Sequence, residues 1–254
     1  MRLRSILRWV DPLIDVRRLV RFPQNFWRYF RDCLTYKMAG GEMALADLWP
    51  IFSDWTTTTG YDRHYTYLNV WAFEKIKNSP NVFHVDIGSQ IGFVTLLSTV
   101  KDVTFIDIRP LEIKLDKLHN QYGSVLSLPF ADRSLHSISS LHVIEHIGLG
   151  RYGDPVDPKG TAKAISELSR VLAPGGDLYV AVPTGVSRTC FNAHRIMNPL
   201  DVVTAFASEG IRLRDFCIVT DQGDYLIDVN PENFADQQYG CGMFHFTKTA
   251  MISD

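Results

Sequence analysis

Apolar positions recur at helical spacing from the start of the chain. In MRLRSILRWV, Leu3, Ile6, Leu7 and Val10 fall three and four apart, with Arg2, Arg4 and Arg8 between them. Pro12 breaks or restarts this helix, and Val16, Leu19 and Val20 beside Arg17, Arg18 and Arg21 predict a further turn or two. Phe26, Trp27, Tyr29 and Phe30 follow among Arg28 and Arg31. The periodicity then fails in DLWPIFSDWTTTTG, residues 47–60, where the proline, the threonine run and the closing glycine predict irregular structure. YLNVWAFEKIKNS predicts a helix with Tyr67, Val70, Trp71 and Ile76 on one face. Short apolar strands come next: NVFHVDIG, VTFIDI (103–108), one within HSISSLHVI, and GDLYVAVP (176–183) introduced by the turn APGG. KGTAKAISELSRVL, with Ala162, Ile165, Leu168 and Leu172 in phase, is a helix between the last two. NPLDVVTAFASEG is another, from Asn198 or Pro199 to Gly210, and IRLRDFCIVTD and YGCGMFHFTK close the chain as strands. Strands alternating with helices imply a doubly wound α/β fold, its mainly parallel sheet covered on both faces. The expected division is a basic helical extension over residues 1–46 and an α/β domain over 47–254.

Composition adds constraints. A 46% hydrophobic content in 254 residues suffices for a core, and a net charge of −2 gives no field that would favour nucleic acid. The charge is uneven, however. Residues 1–37 carry nine Arg or Lys against three Asp, a local +6 that leaves −8 for the remainder. Arginines beside Trp and Leu on an amphipathic helix suit an anionic membrane surface; the alternatives are a helical extension packed on the domain or a homodimer contact. No stretch there is apolar for long enough to be a signal-peptide core or a membrane span. Cys33, Cys190, Cys217 and Cys241 lack CxxC spacing, which points to buried thiols in a reducing cytoplasm. Neither Cys190 nor Cys241 has a histidine at a persuasive sequence spacing, so no cysteine enzyme is expected.

The sharpest short motif is HVDIGSQIGF. A strand ending in Asp86 meets Gly88, which permits a tight turn and lets a ligand approach the backbone, and a helix begins near Gly92 with free N–H groups aimed back at it. Helix packing alone can use two such glycines. VTFIDI adds Asp107 at a second strand end, about twenty residues on, where a carboxylate accepts both ribose hydroxyls. Dinucleotide binding needs a tighter glycine pattern. The carboxylate of Asp86 before the turn repels phosphate and suits a cationic, amino-acid-bearing ligand, S-adenosylmethionine. VDIGSQIGF, Asp107, SLPFADRSLHSIS, VIEHI and ELSRVLAPGGDLYVAVP resemble, in that order, class I S-adenosylmethionine-dependent methyltransferases with their Rossmann-like fold. YTYLNVW, DIRPL, LHVIEHIGLGRYGDPVDPKG, CFNAHR and YGCGMFHFTK are similar to a bacterial family of unknown function within that superfamily, whose members accompany surface-polysaccharide biosynthesis. The resemblance implies that Gly88, Ser89, Gln90 and Gly92 hold the methionine part, with Asp86 behind the turn, Asp107 on the ribose and Ile108 against adenine. Ser124 stands where many methyltransferases carry an aspartate for the adenine amino group, and Leu141, at a later strand end, is a further expected cofactor contact. The segment before Ser124 leaves little room for a full helix and a further strand.

LHVIEHIGLGRYGDP begins at another strand end. His142, Glu145 and His146 are spaced i, i+3 and i+4, so one helical turn would place them together as a proton acceptor or, less in keeping with magnesium chemistry, as divalent-metal ligands. His194, after the next strand, could approach the same space. Arg151, Tyr152 and Asp154 on this loop, with Asn192 and Arg195 opposite, suit a polyhydroxyl acceptor or plain salt bridging, and His64, Tyr65 and Tyr67 suit a wall or lid. The expected activity is methyl transfer to a hydroxyl of a sugar, glycan or glycolipid, in the cytoplasm or at the inner face of its membrane. A small or lipid-linked acceptor, or a non-catalytic partner in glycan assembly, is the alternative.

Overall fold

A computed structural model describes residues 16–52, 54–109 and 111–249, which divide into two compact units between Tyr61 and Asp62. The helix expected over MRLRSILRWV, with its three arginines, lies outside the described residues. In the first unit one helix, α1 (Val16–Met38), spans both the Val16–Val20 turn and the aromatic segment, with Pro23 inside it. Phe22, Phe26 and Phe30 recur every four residues and their rings touch in series, with centroids 5.6 and 4.7 Å apart. Phe52 returns against Phe22 and Tyr29, and the Arg28 guanidinium lies 4.3 Å over the Trp55 ring. Trp27 and Leu34 stay exposed. Among the described residues no helix is long and apolar enough to cross a membrane.

The second unit opens with α2 (Arg63–Asn78), whose first turn is capped by the Asp62 carboxylate accepting from the Tyr65 N–H. Its buried face is Leu68, Trp71, Ala72 and Ile76; Val70 points to solvent. The expected stripe was off by part of a turn because apolar Val70 and Tyr67 mask the true phase. The strands β1 (Phe83–Ile87), β2 (Asp102–Asp107), β3 (Leu118–Tyr122), β4 (Leu135–Leu141) and β5 (Leu172–Thr184) run parallel in the order 3-2-1-4-5. β10 (Gly240–Lys248) inserts antiparallel between β5 and β8 (Ile211–Val219), and β9 (Tyr225–Leu226) closes that edge. A hairpin of β6 (Arg188–Cys190) and β7 (His194–Ile196) stands apart from the sheet. β3 reaches the sheet from β2 with no intervening helix. Four of its five residues are exposed, so it carries no apolar signal in the sequence.

Three helices cover the sheet beside α2: α3 (Ile91–Leu97), α4 (Gly160–Val171) and α5 (Pro199–Ala207). Alternate residues of the central strands feed two cores. Leu178, Val180 and Val182 pack with Phe216, Phe244 and Phe246 under α4 and α5; Tyr179, Ala181 and Met243 pack with Leu68, Trp71, Phe93 and Leu97 under α2 and α3. This is the doubly wound α/β arrangement that the strand and helix pattern implies. The carboxyl ends of β1, β2, β4 and β5 gather at one edge, where such sheets bind ligands.

Candidate functional site

At that edge the chain after β1 turns through Gly88, whose φ of +71° lies in the left-handed region. A Cβ there would also come within 3.2 Å of the Val143 side chain, a tight contact, and it is the backbone conformation that calls for glycine. Asp86 orders the turn from behind. Its carboxylate is fully buried and accepts the Ser89 N–H at 3.1 Å, the Ser89 hydroxyl at 2.7 Å and the Ser139 hydroxyl. Ser139 has one proton to give, so it must accept from His84 Nε2 (2.8 Å), which leaves His84 Nδ1 to accept from Ser137 at 2.8 Å. The Ser89 hydroxyl in turn accepts the Leu141 N–H. A hydrogen-bonded chain thus runs through the sheet and ends on the ligand-facing turn. Burial raises the Asp86 carboxyl to about 6 and lowers the His84 imidazole to about 3. His84 and Ser139 were not foreseen as site residues, because their partners lie across strands.

Gly88, Asp107, Ile108, Ser124, His142, His146, Tyr152 and Asp154 line a cleft along β1, β2 and β3. It continues over Ser89, Gln90, Ile91 and Leu141. Gly92 is one residue further, inside α3, with open space around its missing Cβ. The Asp107 carboxylate accepts from the Arg109 backbone N–H at 2.7 Å and from the Arg109 guanidinium at 3.2 and 3.3 Å. Arg109 lies over Tyr152 at 4.6 Å and Arg151 over the same ring at 5.2 Å, so one tyrosine ring holds two cations at the cleft. Arg109 lies within the DIRPL motif but was not expected as a site residue.

A second bay adjoins the cleft and shares His142, His146 and Tyr152 with it; Asp62, Arg63, His64, Tyr65, Glu145, Arg151, His194 and Tyr239 complete its wall. The loop after β4 thus brings His142, Glu145 and His146 together as the spacing implied, through turns, with His142 itself at φ +57°. Glu145 is completely buried. One oxygen, Oε1, is 2.9 Å from His142 Nδ1 and 3.5 Å from His146 Nε2, while Oε2 has no partner. Burial pulls the His142 imidazole down, but the Cys241 sulfur and Glu145 more than reverse this and lift it to about 10. His146 is lowered by burial, and His194 by burial and by His146. His146 Nδ1 donates to the Ala193 carbonyl at 2.7 Å, which leaves Nε2 unprotonated in a neutral ring, 3.5 Å from Glu145 Oε1.

The remaining candidates separate. Tyr152 and Arg151 face the bay, with Arg151 also donating to Ala193 O at 2.9 Å. Asp154 shapes the loop, accepting the Gly148 and Tyr152 N–H groups. Arg195 turns inward and donates to Ile147 O at 2.7 Å and Thr161 Oγ1 at 3.1 Å, bracing the loop from behind. Asn192 is exposed on the hairpin between β6 and β7. Cys241, for which sequence spacing offered no histidine, has its Sγ 3.3 Å from His142 Nε2, across 99 residues.

Residues 85–211, half of the chain, match the profile of a family described as Caenorhabditis protein of unknown function, DUF268. The chain belongs to the DUF268 family. The matched stretch spans the Gly88 turn, Asp107 and the loop with His142, Glu145 and His146, so the DUF268 match covers most of both bays. No curated protein matches the DUF268 chain. Among solved structures, the fold is similar to the cyclase SpnF at 14% identity and a TM-score of 0.56, covering 89% of this chain and 95% of that one. It is also similar to the N-methyltransferase NodS from Bradyrhizobium japonicum WM9, solved with S-adenosyl-L-homocysteine, at 16% identity and a TM-score of 0.52, covering 78% and 91%. The YcgJ protein from Bacillus subtilis matches at 12% identity and a TM-score of 0.51, covering 72% and 99%. The fold of this DUF268 chain is therefore the Rossmann-like class I methyltransferase fold.

Proposed function

We propose that the protein is an S-adenosylmethionine-dependent methyltransferase whose acceptor is a hydroxyl of a sugar or glycan. The observation that carries this reading is the shared wall. His146 and Tyr152 belong at once to the cleft of Gly88 and Asp107 and to the bay of Glu145 and His194, so two ligands would meet at His146. The cleft fits the cofactor: the bare Gly88 backbone offers close approach, Asp107 offers acceptors for a diol, and Ile108, Val125 and Leu126 offer apolar cover for a base. When bound, S-adenosylmethionine supplies an electrophilic methyl group on a sulfonium.

The chain's own residues would do the rest by positioning and proton acceptance. Tyr152 and Tyr239 supply aromatic wall to the bay, and Arg151 offers donors to the oxygens of a sugar. His146 Nε2, unprotonated in the neutral ring, accepts the hydroxyl proton, and the buried Glu145 carboxylate 3.5 Å away stabilises the imidazolium that forms. His142 is not a base, since Glu145 and Cys241 hold both its nitrogens. The exposed aromatic residues of α1, with Arg28 and Arg31 among them, favour an acceptor carried on a lipid at an anionic cytoplasmic surface of the cell membrane. A role in surface-polysaccharide biosynthesis fits that acceptor.

Calorimetry with S-adenosylmethionine and S-adenosylhomocysteine tests the reading. Wild type binds both, and Asp107→Ala loses at least tenfold in affinity, about 1.4 kcal/mol. Absence of binding by pure folded protein overturns the reading. Transfer of labelled methyl is then sought in glycan and glycolipid fractions; binding without any transfer favours a non-catalytic partner in glycan assembly.

A further inference from the structure

We propose that His64, His142 and Cys241 form a zinc site at the floor of the acceptor bay. One ligand atom from each lies within 4.8 Å of the other two. Tetrahedral zinc with N and S bonds of about 2.0 and 2.3 Å separates those ligand atoms by about 3.5 Å. His142 Nε2 and Cys241 Sγ already stand 3.3 Å apart, so His64 alone has to close, by about 1 Å. Its ring is parallel to that of His142, with centroids 6.1 Å apart, and it sits at the first turn of α2, half-buried on the bay.

Two features point to a metal and not to a nucleophilic thiol. His142 Nδ1 is bound to the buried Glu145 carboxylate at 2.9 Å, the outer partner that fixes a ligating histidine and raises its basicity. Cys241 is 0% exposed at the start of β10 and is absent from the bay lining, so no substrate carbon can reach its sulfur. An ion held between His64 and His142 has the thiolate on its buried side and an open fourth position on the bay. Two imidazoles and a thiolate select a borderline-soft ion, zinc in preference to magnesium or calcium. On binding, the proton that joins His142 Nε2 to the Cys241 sulfur leaves to solvent, and the lone pairs it frees on nitrogen and sulfur coordinate the ion; nothing is oxidised. The second group of potential ligands among the described residues, Asp215, Cys217 and Asp228, is weaker, because Asp215 is already paired with Lys75 and His245. The zinc site stands whether or not methyl transfer is the reaction.

The test is metal stoichiometry and cobalt spectroscopy on the full chain, with zinc and cobalt chlorides as probes. One zinc per chain by plasma mass spectrometry is expected, and cobalt in its place gives a sulfur-to-cobalt charge-transfer band that Cys241→Ser abolishes. His64→Ala, a change at the bay surface that leaves the core intact, weakens zinc at least 100-fold. The proposal is overturned if the folded chain takes up no zinc, if zinc affinity is unchanged in His64→Ala, or if cobalt bound to wild type shows no thiolate band. Rapid stoichiometric alkylation of Cys241 in zinc-loaded native protein overturns it too.

Discussion

Asp86 and His84 sit on the same buried chain, share Ser139, and titrate in opposite senses, so their pH effects should cancel until one is removed. Burial raises the Asp86 carboxyl from 3.8 to about 6 and lowers the His84 imidazole from 6.5 to about 3. Between pH 4 and 6 the native chain keeps an Asp86 proton that the unfolded chain has shed. Stability from this group is therefore greatest below the unfolded value and is lost as pH rises through the folded one. His84 does the reverse: below 6.5 the unfolded chain takes a proton that the native chain refuses, so stability is lost as pH falls. Each slope is about 1.4 kcal/mol per pH unit, and the signs are opposed.

Asp86→Asn should expose the histidine. Relative to wild type its unfolding free energy rises with pH by about 1.4 kcal/mol per unit from pH 4 to 6, a total of about 3 kcal/mol. His84→Asn should give the mirror image, falling by the same amount. Asp86→Asn also orphans the Ser89 and Ser139 hydroxyls, at a cost of about 1–3 kcal/mol each, but this shifts the whole curve and leaves its slope alone. Urea unfolding followed by far-UV circular dichroism at half-unit pH intervals measures the difference, in which every other titrating group drops out. Parallel curves for Asp86→Asn and wild type across pH 4 to 6 would refute the opposed-proton account.

Gly88→Ala should cost about 1–2 kcal/mol for a left-handed alanine alone, and abolish ligand binding in the cleft; thermal unfolding and calorimetry read the two effects. Trp71 is 2% exposed yet its Nε1 has no partner, so Trp71→Phe should cost less than about 1.5 kcal/mol while Trp71→Ala costs about 3–5, by denaturant unfolding. Burial lowers His245, but Asp177 and Asp215, each 2.9 Å away, outweigh it and raise its imidazole. Its stabilisation is thus complete below the free-histidine value and fades as pH rises through the folded one. Proton NMR should place its midpoint above that of free histidine, and Asp215→Asn should lower it.

What the sequence disclosed was whatever local chemistry had to enforce. The Gly88 turn was legible because a positive φ between a strand and a helix demands glycine, and Asp107 because a carboxylate closing a strand is visible in a short window. β3 was not legible: LHNQY buries only Leu118, and its place at the sheet edge comes from pairing with β2. His84 read as one more residue of an apolar strand, since its partners Ser137 and Ser139 belong to β4. Cys241 read as a lone thiol because its histidine partner enters from another strand end.

The direction in which a polar side chain faces is harder still to read. Arg195 and Asn192 looked equivalent, two polar residues at a rim. Yet the loop from Glu145 to Thr161 has no regular structure before α4 and bends so tightly that a Cβ at Gly148 would sit 2.1 Å from the Asp157 carbonyl. Such a loop leaves main-chain carbonyls without ladder partners, and burying them unpaired is costly. Glu145 O and Asp157 O already accept the Arg195 and Gly160 N–H groups, and a side chain with several fixed donors can reach them together with Ile147 O. Arg195 reaches Ile147 O, and at longer range Glu145 O and Asp157 O, so a residue suited to grip a sugar is used to hold the wall in place. The rigidity of Glu145 and His146, and hence any chemistry in the bay, depends on that arginine facing inward.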